Sequence, residues 1–205
     1  MERISKIVAI GFATIALTGG SLFLYYGLHS VRTEPQHSTV LPSAMDLPQF
    51  NLTQHNGTRF TQDELRGSWN LIFFGFTHCP DICPATLTQL AIAKSQLAAE
   101  GYETPNIVLV SVDPERDTPD KMAEYLGHFD SDISGLTGST EEILKLTKAL
   151  GIFFAKSTNP NGEYSVDHSA AILLINPNAK WHALFQAPHK IEHFVRDIPI
   201  LTGAR

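Results

Sequence analysis

Apolar residues in this chain fall into short runs separated by amphipathic stretches, the pattern of buried strands alternating with surface helices. Asn70 to Phe76, Asn106 to Asp113 and Ala170 to Asn176 are continuous apolar runs of strand length. Between the first two, Leu87, Leu90, Ala91, Lys94, Leu97 and Ala98 recur at helical spacing, predicting a helix from Ala85 to Glu100 that stops at Gly101. Thr118-Pro119 reads as N-cap and first helical residue of a helix to about Phe129. Ser139-Thr140-Glu141-Glu142 has the spacing of a capping box and opens a helix to Leu150, with Gly151 as its stop.

Hairpin signals occupy the flanks. Asn56-Gly57 follows Phe50-Asn51-Leu52-Thr53, and Asn161-Gly162 lies between Ile152-Phe153-Phe154 and Tyr164-Ser165-Val166. Thr61-Gln62-Asp63-Glu64 predicts a short capped helix ending at Gly67. Pro177-Asn178 turns the third strand towards Trp181 to Phe185, and a last helix runs from Lys190 to Thr202. The order predicts one mixed α/β sheet domain, with parallel crossovers first and antiparallel partners later.

Upstream the pattern changes. Residues 7–28 contain no charged side chain and are long enough to cross a bilayer as a helix. Arg3 and Lys6 precede the run, whereas Arg32 is answered by Glu34, so the positive-inside rule puts residues 1–6 in the cytoplasm. The run exceeds the apolar core of a cleaved signal peptide, and no cysteine follows it to accept a lipoprotein anchor. Residues 29–47, with Pro35, Pro42 and several Ser and Thr, lack apolar periodicity and read as a flexible tether. The folded domain is expected over 48–205, outside the cytoplasm. The full chain, with 43% hydrophobic and 18% charged residues, has a globular composition, and its net charge of -6 argues against a nucleic-acid partner.

The chemistry concentrates in Phe76-Thr77-His78-Cys79-Pro80-Asp81-Ile82-Cys83-Pro84, which holds both cysteines of the chain. A buried strand delivers the chain to a turn and a helix leaves it, so the thiols sit where unpaired N–H groups and the helix dipole favour thiolate. Pro84 suits a first helical position, which places Cys83 at the N-cap and Cys79 in the turn before it. The sulfurs can meet there, as a disulfide or as two ligands of one soft metal. A loop this short gains little from closure, so functional thiols are favoured over a structural staple. His168, just before the third strand, is a candidate partner, although spacing alone leaves open whether its loop reaches the thiols. Asp113, at the end of the second strand, reads equally as a turn residue and as a carboxylate serving the thiols. The remaining histidines read as solvated, hydrogen-bonded or packing residues.

The cysteine segment, Ser111-Val112-Asp113-Pro114-Glu115-Arg116-Asp117-Thr118-Pro119 and Val166-Asp167-His168-Ser169 together resemble the SCO/SenC family of cytochrome c oxidase assembly proteins. The likeness runs from about Phe50 to the C-terminus and includes the single N-terminal anchor. It implies a thioredoxin-like fold with an extra β-hairpin insertion. It also implies that Cys79, Cys83 and His168 bind copper, as Cu(I) or Cu(II), with Cys79 and Cys83 forming a redox-active pair. Implied partners are the oxidase subunit that carries the dinuclear copper centre, a copper donor (protein or small molecule) and a thiol reductant. The implied role is a metallochaperone in the bacterial inner membrane with its domain in the periplasm. A thiol–disulfide oxidoreductase acting on the oxidase's copper-site cysteines is the alternative. Thioredoxin-type reductases carry C-x-x-C and a cis-proline facing it. Here the spacing is C-x-x-x-C and Asp167-His168-Ser169 offers no proline, which predicts an opening beside the sulfurs.

Overall fold

The computed structural model describes residues 34–130, 132–158 and 164–203. The chain runs β1 (Ser38–Asp46), β2 (Leu52–Gln54), β3 (Arg59–Phe60), a 3-10 turn (Gln62–Leu65), β4 (Asn70–Gly75), α1 (Ile82–Ala99) and β5 (Asn106–Ser111). It continues α2 (Pro119–Leu126), β6 (Ile133–Thr137), α3 (Thr140–Ala149), β7 (Phe154–Thr158), β8 (Tyr164–His168), β9 (Ile172–Ile175), β10 (Lys180–Phe185) and α4 (Ile191–Thr202).

One sheet has the order β1-β10-β9-β4-β5-β6-β2-β3, while β7 and β8 form a separate pair. β4, β5 and β6 are parallel, and every residue of β4 is buried, as a strand covered on both faces requires. β9 joins the other side of β4 antiparallel, with Phe73 opposite Ile172. That reversal positions the site. The C-terminal ends of β4 and β5 and the N-terminal end of β9 all emerge at one edge of the sheet, where open α/β sheets bind ligands.

Three features depart from the sequence reading. The tether expected over 29–47 instead includes β1, which pairs antiparallel with β10. An apolar stripe does not hold it. The buried carboxylate of Asp197 does, accepting from Gln36 N, His37 N (2.7 Å) and Ser38 Oγ (2.9 Å). β6 has no apolar run to announce it, because Gly135 lies against α2. A Cβ there would come within 2.6 Å of Leu126 and 2.8 Å of Met122. At α3, Ser139 caps Glu142 N, but the Glu142 carboxylate turns to Asn51 N instead of closing the capping box. The expected transmembrane helix (7–28) and the Asn161-Gly162 turn lie outside the described residues, within which no helix is long and apolar enough to cross a membrane.

Candidate metal centre

The cysteine turn is fixed from below by Asp117, which sequence reading missed. This fully buried carboxylate accepts from Thr77 N (3.1 Å), Thr77 Oγ1 (2.6 Å) and Ser111 Oγ (2.6 Å), tying the start of the turn to the end of β5. Asp81 is the N-cap of α1, so Cys83 lies in the first helical turn rather than at the N-cap. Proline needs no donor anywhere in that turn, where N–H groups have no intrahelical partner, so Pro84 is accommodated two residues further in than expected. The helix still serves Cys79: Cys83 N–H donates to Cys79 Sγ at 3.4 Å.

Gly75 makes room for the second thiol. A Cβ on Gly75 would lie 2.9 Å from Cys83 Sγ, so only glycine lets the thiol pack against the end of β4. Both cysteines are free thiols; Cys83 is fully buried and Cys79 is 9% exposed.

His168 closes the cluster, arriving from the end of β8 just ahead of β9. Its Nε2 lies 3.3 Å from Cys83 Sγ. Its Nδ1 lies 3.0 Å from the Ser169 carbonyl, which can only accept. The hydrogen-bond network therefore assigns a proton to Nδ1 and leaves Nε2 facing the sulfurs, the orientation metal-binding histidines use. Phe73 and Phe76 meet the ring edge-on, each with centroids 5.9 Å away. The ligand atoms of Cys79, Cys83 and His168 all lie within 4.8 Å of one another. Two soft sulfurs and an imidazole form a donor set suited to copper in either common oxidation state.

The thiols are not equivalent. A side-chain hydrogen bond with Cys83, opposed by burial and helped by a hydrogen bond with His168 and by backbone N–H groups, lowers the Cys79 pKa to about 4. Cys83 is raised far above the ordinary thiol range, first by that same hydrogen bond and then by burial. The two shifts run in opposite directions, so of the pair Cys79 is the one that gives up its proton more readily.

A pocket of about 330 Å³ opens beside the sulfurs, lined by Phe76, Cys79, Pro80, Ile82, Asp167 and His168 among others. The cis peptide Ala187–Pro188 follows β10 and does not line it. Asp113 is not part of the cluster. Its buried carboxylate is taken by Arg116 Nε and by the Tyr164 hydroxyl (2.9 Å). His78, beside Cys79, turns its Nδ1 to Thr77 Oγ1 at 3.0 Å, and is also outside the cluster.

The SCO1/SenC family pattern matches residues 42–202. The chain belongs to the SCO1/SenC family. A Stutzerimonas stutzeri protein named for copper binding is 40% identical over 167 residues, covering 81% of this SCO1/SenC chain and 82% of its own. The mitochondrial protein SCO2 of Saccharomyces cerevisiae is 40% identical over 134 residues, which span 64% of this chain and 44% of the yeast protein. Among solved structures, Arabidopsis thaliana ScoI with copper bound superposes with a TM-score of 0.70 at 35% identity, covering 74% of this chain and 94% of that one. The mixed α/β sheet is accordingly the thioredoxin-like fold of Sco proteins.

Proposed function

We propose that this SCO1/SenC protein binds one copper ion through Cys79, Cys83 and His168 and hands it to the dinuclear copper centre of cytochrome c oxidase. The observation that supports this is the convergence of two sulfurs and an imidazole nitrogen within 4.8 Å of one another beside an open pocket. The ligands would come from the start of α1 with the turn before it and from the end of β8, at one edge of the sheet, so an acceptor can approach them without unfolding the domain. Cys79 is already primed as thiolate, and loading would release the remaining Cys83 proton. Delivery would proceed by ligand exchange at constant oxidation state. An acceptor thiolate bonds to copper as the bond to Cys79 breaks and leaves the Cys79 thiolate, and the Cys83 sulfur regains its proton from solvent when its own bond to copper breaks.

The inequality of the two thiols favours a second reading, a dithiol reductant for the oxidase's copper-site cysteines. The Cys79 thiolate would attack the target disulfide, and Cys83 would then displace the mixed disulfide. The target gains two thiols, the Cys79–Cys83 disulfide forms, and an external thiol reductant restores it. In both readings residues 7–28 anchor the protein in the bacterial inner membrane, with residues 1–6 cytoplasmic and the domain periplasmic.

The deciding measurement is an anaerobic titration of the reduced protein with Cu(I) and Cu(II), following thiolate-to-copper absorption beside His168→Ala. One copper per chain, with Cu(II) much weakened in the variant, is the chaperone result. Binding indifferent to His168 leaves the dithiol reductant.

A further inference from the structure

His168 is delivered by an arm. β7 and β8 pair only with each other among the described residues, and a lone two-stranded hairpin is marginal in water. At the base, Phe154 pairs with His168, Phe153 N donates to Ser169 Oγ (3.0 Å) and Ser169 N donates to Phe153 O (2.8 Å). Along β8 the residues at spacing two share a face: Tyr164, Val166 and His168. Val166 is buried, leaving Tyr164 to secure the far end of the strand.

Tyr164 is clamped from three sides. The Arg116 guanidinium carbon lies 3.8 Å from the Tyr164 ring centroid, and Arg116 Nη1 donates to the Tyr164 carbonyl at 3.2 Å. The Tyr164 hydroxyl donates to Asp113, whose other oxygen accepts from Arg116 Nε. Lys156 Nζ adds a second cation, 4.8 Å from the same ring. Arg116 also lies 5.7 Å from the ring centroid of Phe76, which meets His168 edge-on. One guanidinium therefore touches both the arm that carries His168 and the aromatic wall against which the imidazole rests.

We propose that Arg116 and Tyr164 are positioning residues for His168: they hold the arm so that the imidazole stays on the dithiol, and they thereby set Cu(II) affinity apart from Cu(I) affinity. This rests on the reading of Cys79, Cys83 and His168 as copper ligands. Two thiolates satisfy soft Cu(I), whereas Cu(II) depends on the nitrogen donor, so loosening the arm weakens one and spares the other.

The experiment uses the reduced full chain carrying Arg116→Met, Tyr164→Ala or the milder Tyr164→Phe, which keeps the ring over Arg116 and loses the bond to Asp113. In metal-free protein the His168 ring resonances, shifted by Phe73 and Phe76, move towards solvent values in Arg116→Met and Tyr164→Ala. Tyr164→Phe moves them less. Copper titrations then show Cu(II) affinity falling about 10- to 100-fold, the usual effect of removing a group that orients a ligand, with Cu(I) affinity within about threefold. Unmoved His168 resonances overturn the proposal whatever copper does, and so does an equal loss of Cu(I) and Cu(II), which is the result of a merely structural role. Failure of the ligand reading shows separately, as wild-type Cu(II) binding in His168→Ala.

Discussion

Gly75→Ala tests whether the end of β4 is shaped around the second thiol. The new methyl would stand 2.9 Å from Cys83 Sγ, 3.1 Å from Phe73 Cε1 and 3.2 Å from Leu109 Cδ1. Carbon atoms rest at about 3.5–4.0 Å, so each contact is too close by a few tenths of an ångström and the sulfur contact by more. Phe73 and Leu109 are fully buried, and so is Cys83, on the first turn of α1 with His168 Nε2 3.3 Å from its sulfur, so none of the three has open space to move into. Overpacking of this kind costs about 1–3 kcal/mol. Denaturant unfolding of the reduced, metal-free protein should show that loss. In a domain this size the melting temperature falls by about 2–4 °C per kcal/mol. Copper affinity should fall at least about tenfold, equivalent to about 1.4 kcal/mol, as the sulfur is displaced. Cys83→Ala in the same background should recover much of the stability, because the two changes share one volume. Wild-type melting and copper affinity in Gly75→Ala would refute the argument, and so would additivity with Cys83→Ala.

Further expectations follow from Asp197 and from the ionisation of the two thiols. Asp197→Ala removes the acceptor for two backbone amides and one hydroxyl at the start of β1, and charge-assisted bonds are worth about 1.5–3 kcal/mol each. Stability should drop by at least about 2 kcal/mol, with amide exchange of residues 36–46 accelerated first; unchanged protection there would contradict the anchoring role. In the metal-free reduced protein, alkylation at pH 6 should modify Cys79 and spare Cys83, since Cys79 is lowered to about 4 and Cys83 is raised. The sign for stability follows: between that value and the ordinary thiol range the unfolded chain binds the extra proton, so stability rises with pH through this window and is lost as pH falls towards about 4. Equal labelling of both cysteines at pH 6 would refute it.

Where apolar residues are continuous, the pattern alone locates an element: Leu71 to Phe74 and Ile107 to Val110 are strands because both faces are buried. The caps at Thr61 and Thr118 are equally legible, because a hydroxyl at fixed spacing satisfies a known orphan donor. Elements held by non-local groups are not. β1 depends on a carboxylate some 160 residues away, and β6 has a glycine where α2 presses on it. Both cysteines are visible as a motif, yet their meeting with His168 depends on β9 running antiparallel beside β4, which no local spacing encodes. Asp113 and Asp117 show the limit for carboxylates. They sit four residues apart at one strand end, but one binds the arm and the other the cysteine turn, and only the packed partners distinguish them.

The sequence separation of 85 between Cys83 and His168 has a thermodynamic consequence. The two sulfurs are neighbours in sequence and stay close even in an unfolded chain, whereas the imidazole joins them only when the sheet has formed. A ligand stabilises a fold by its differential affinity for folded over unfolded chain, and any grip on the unfolded state subtracts from that gain. Cu(I), satisfied by the local dithiol, should raise the unfolding temperature modestly. Cu(II), if it needs the distant nitrogen, should raise it more for the same affinity, so the oxidation state of the bound copper becomes readable as the heat resistance of the protein.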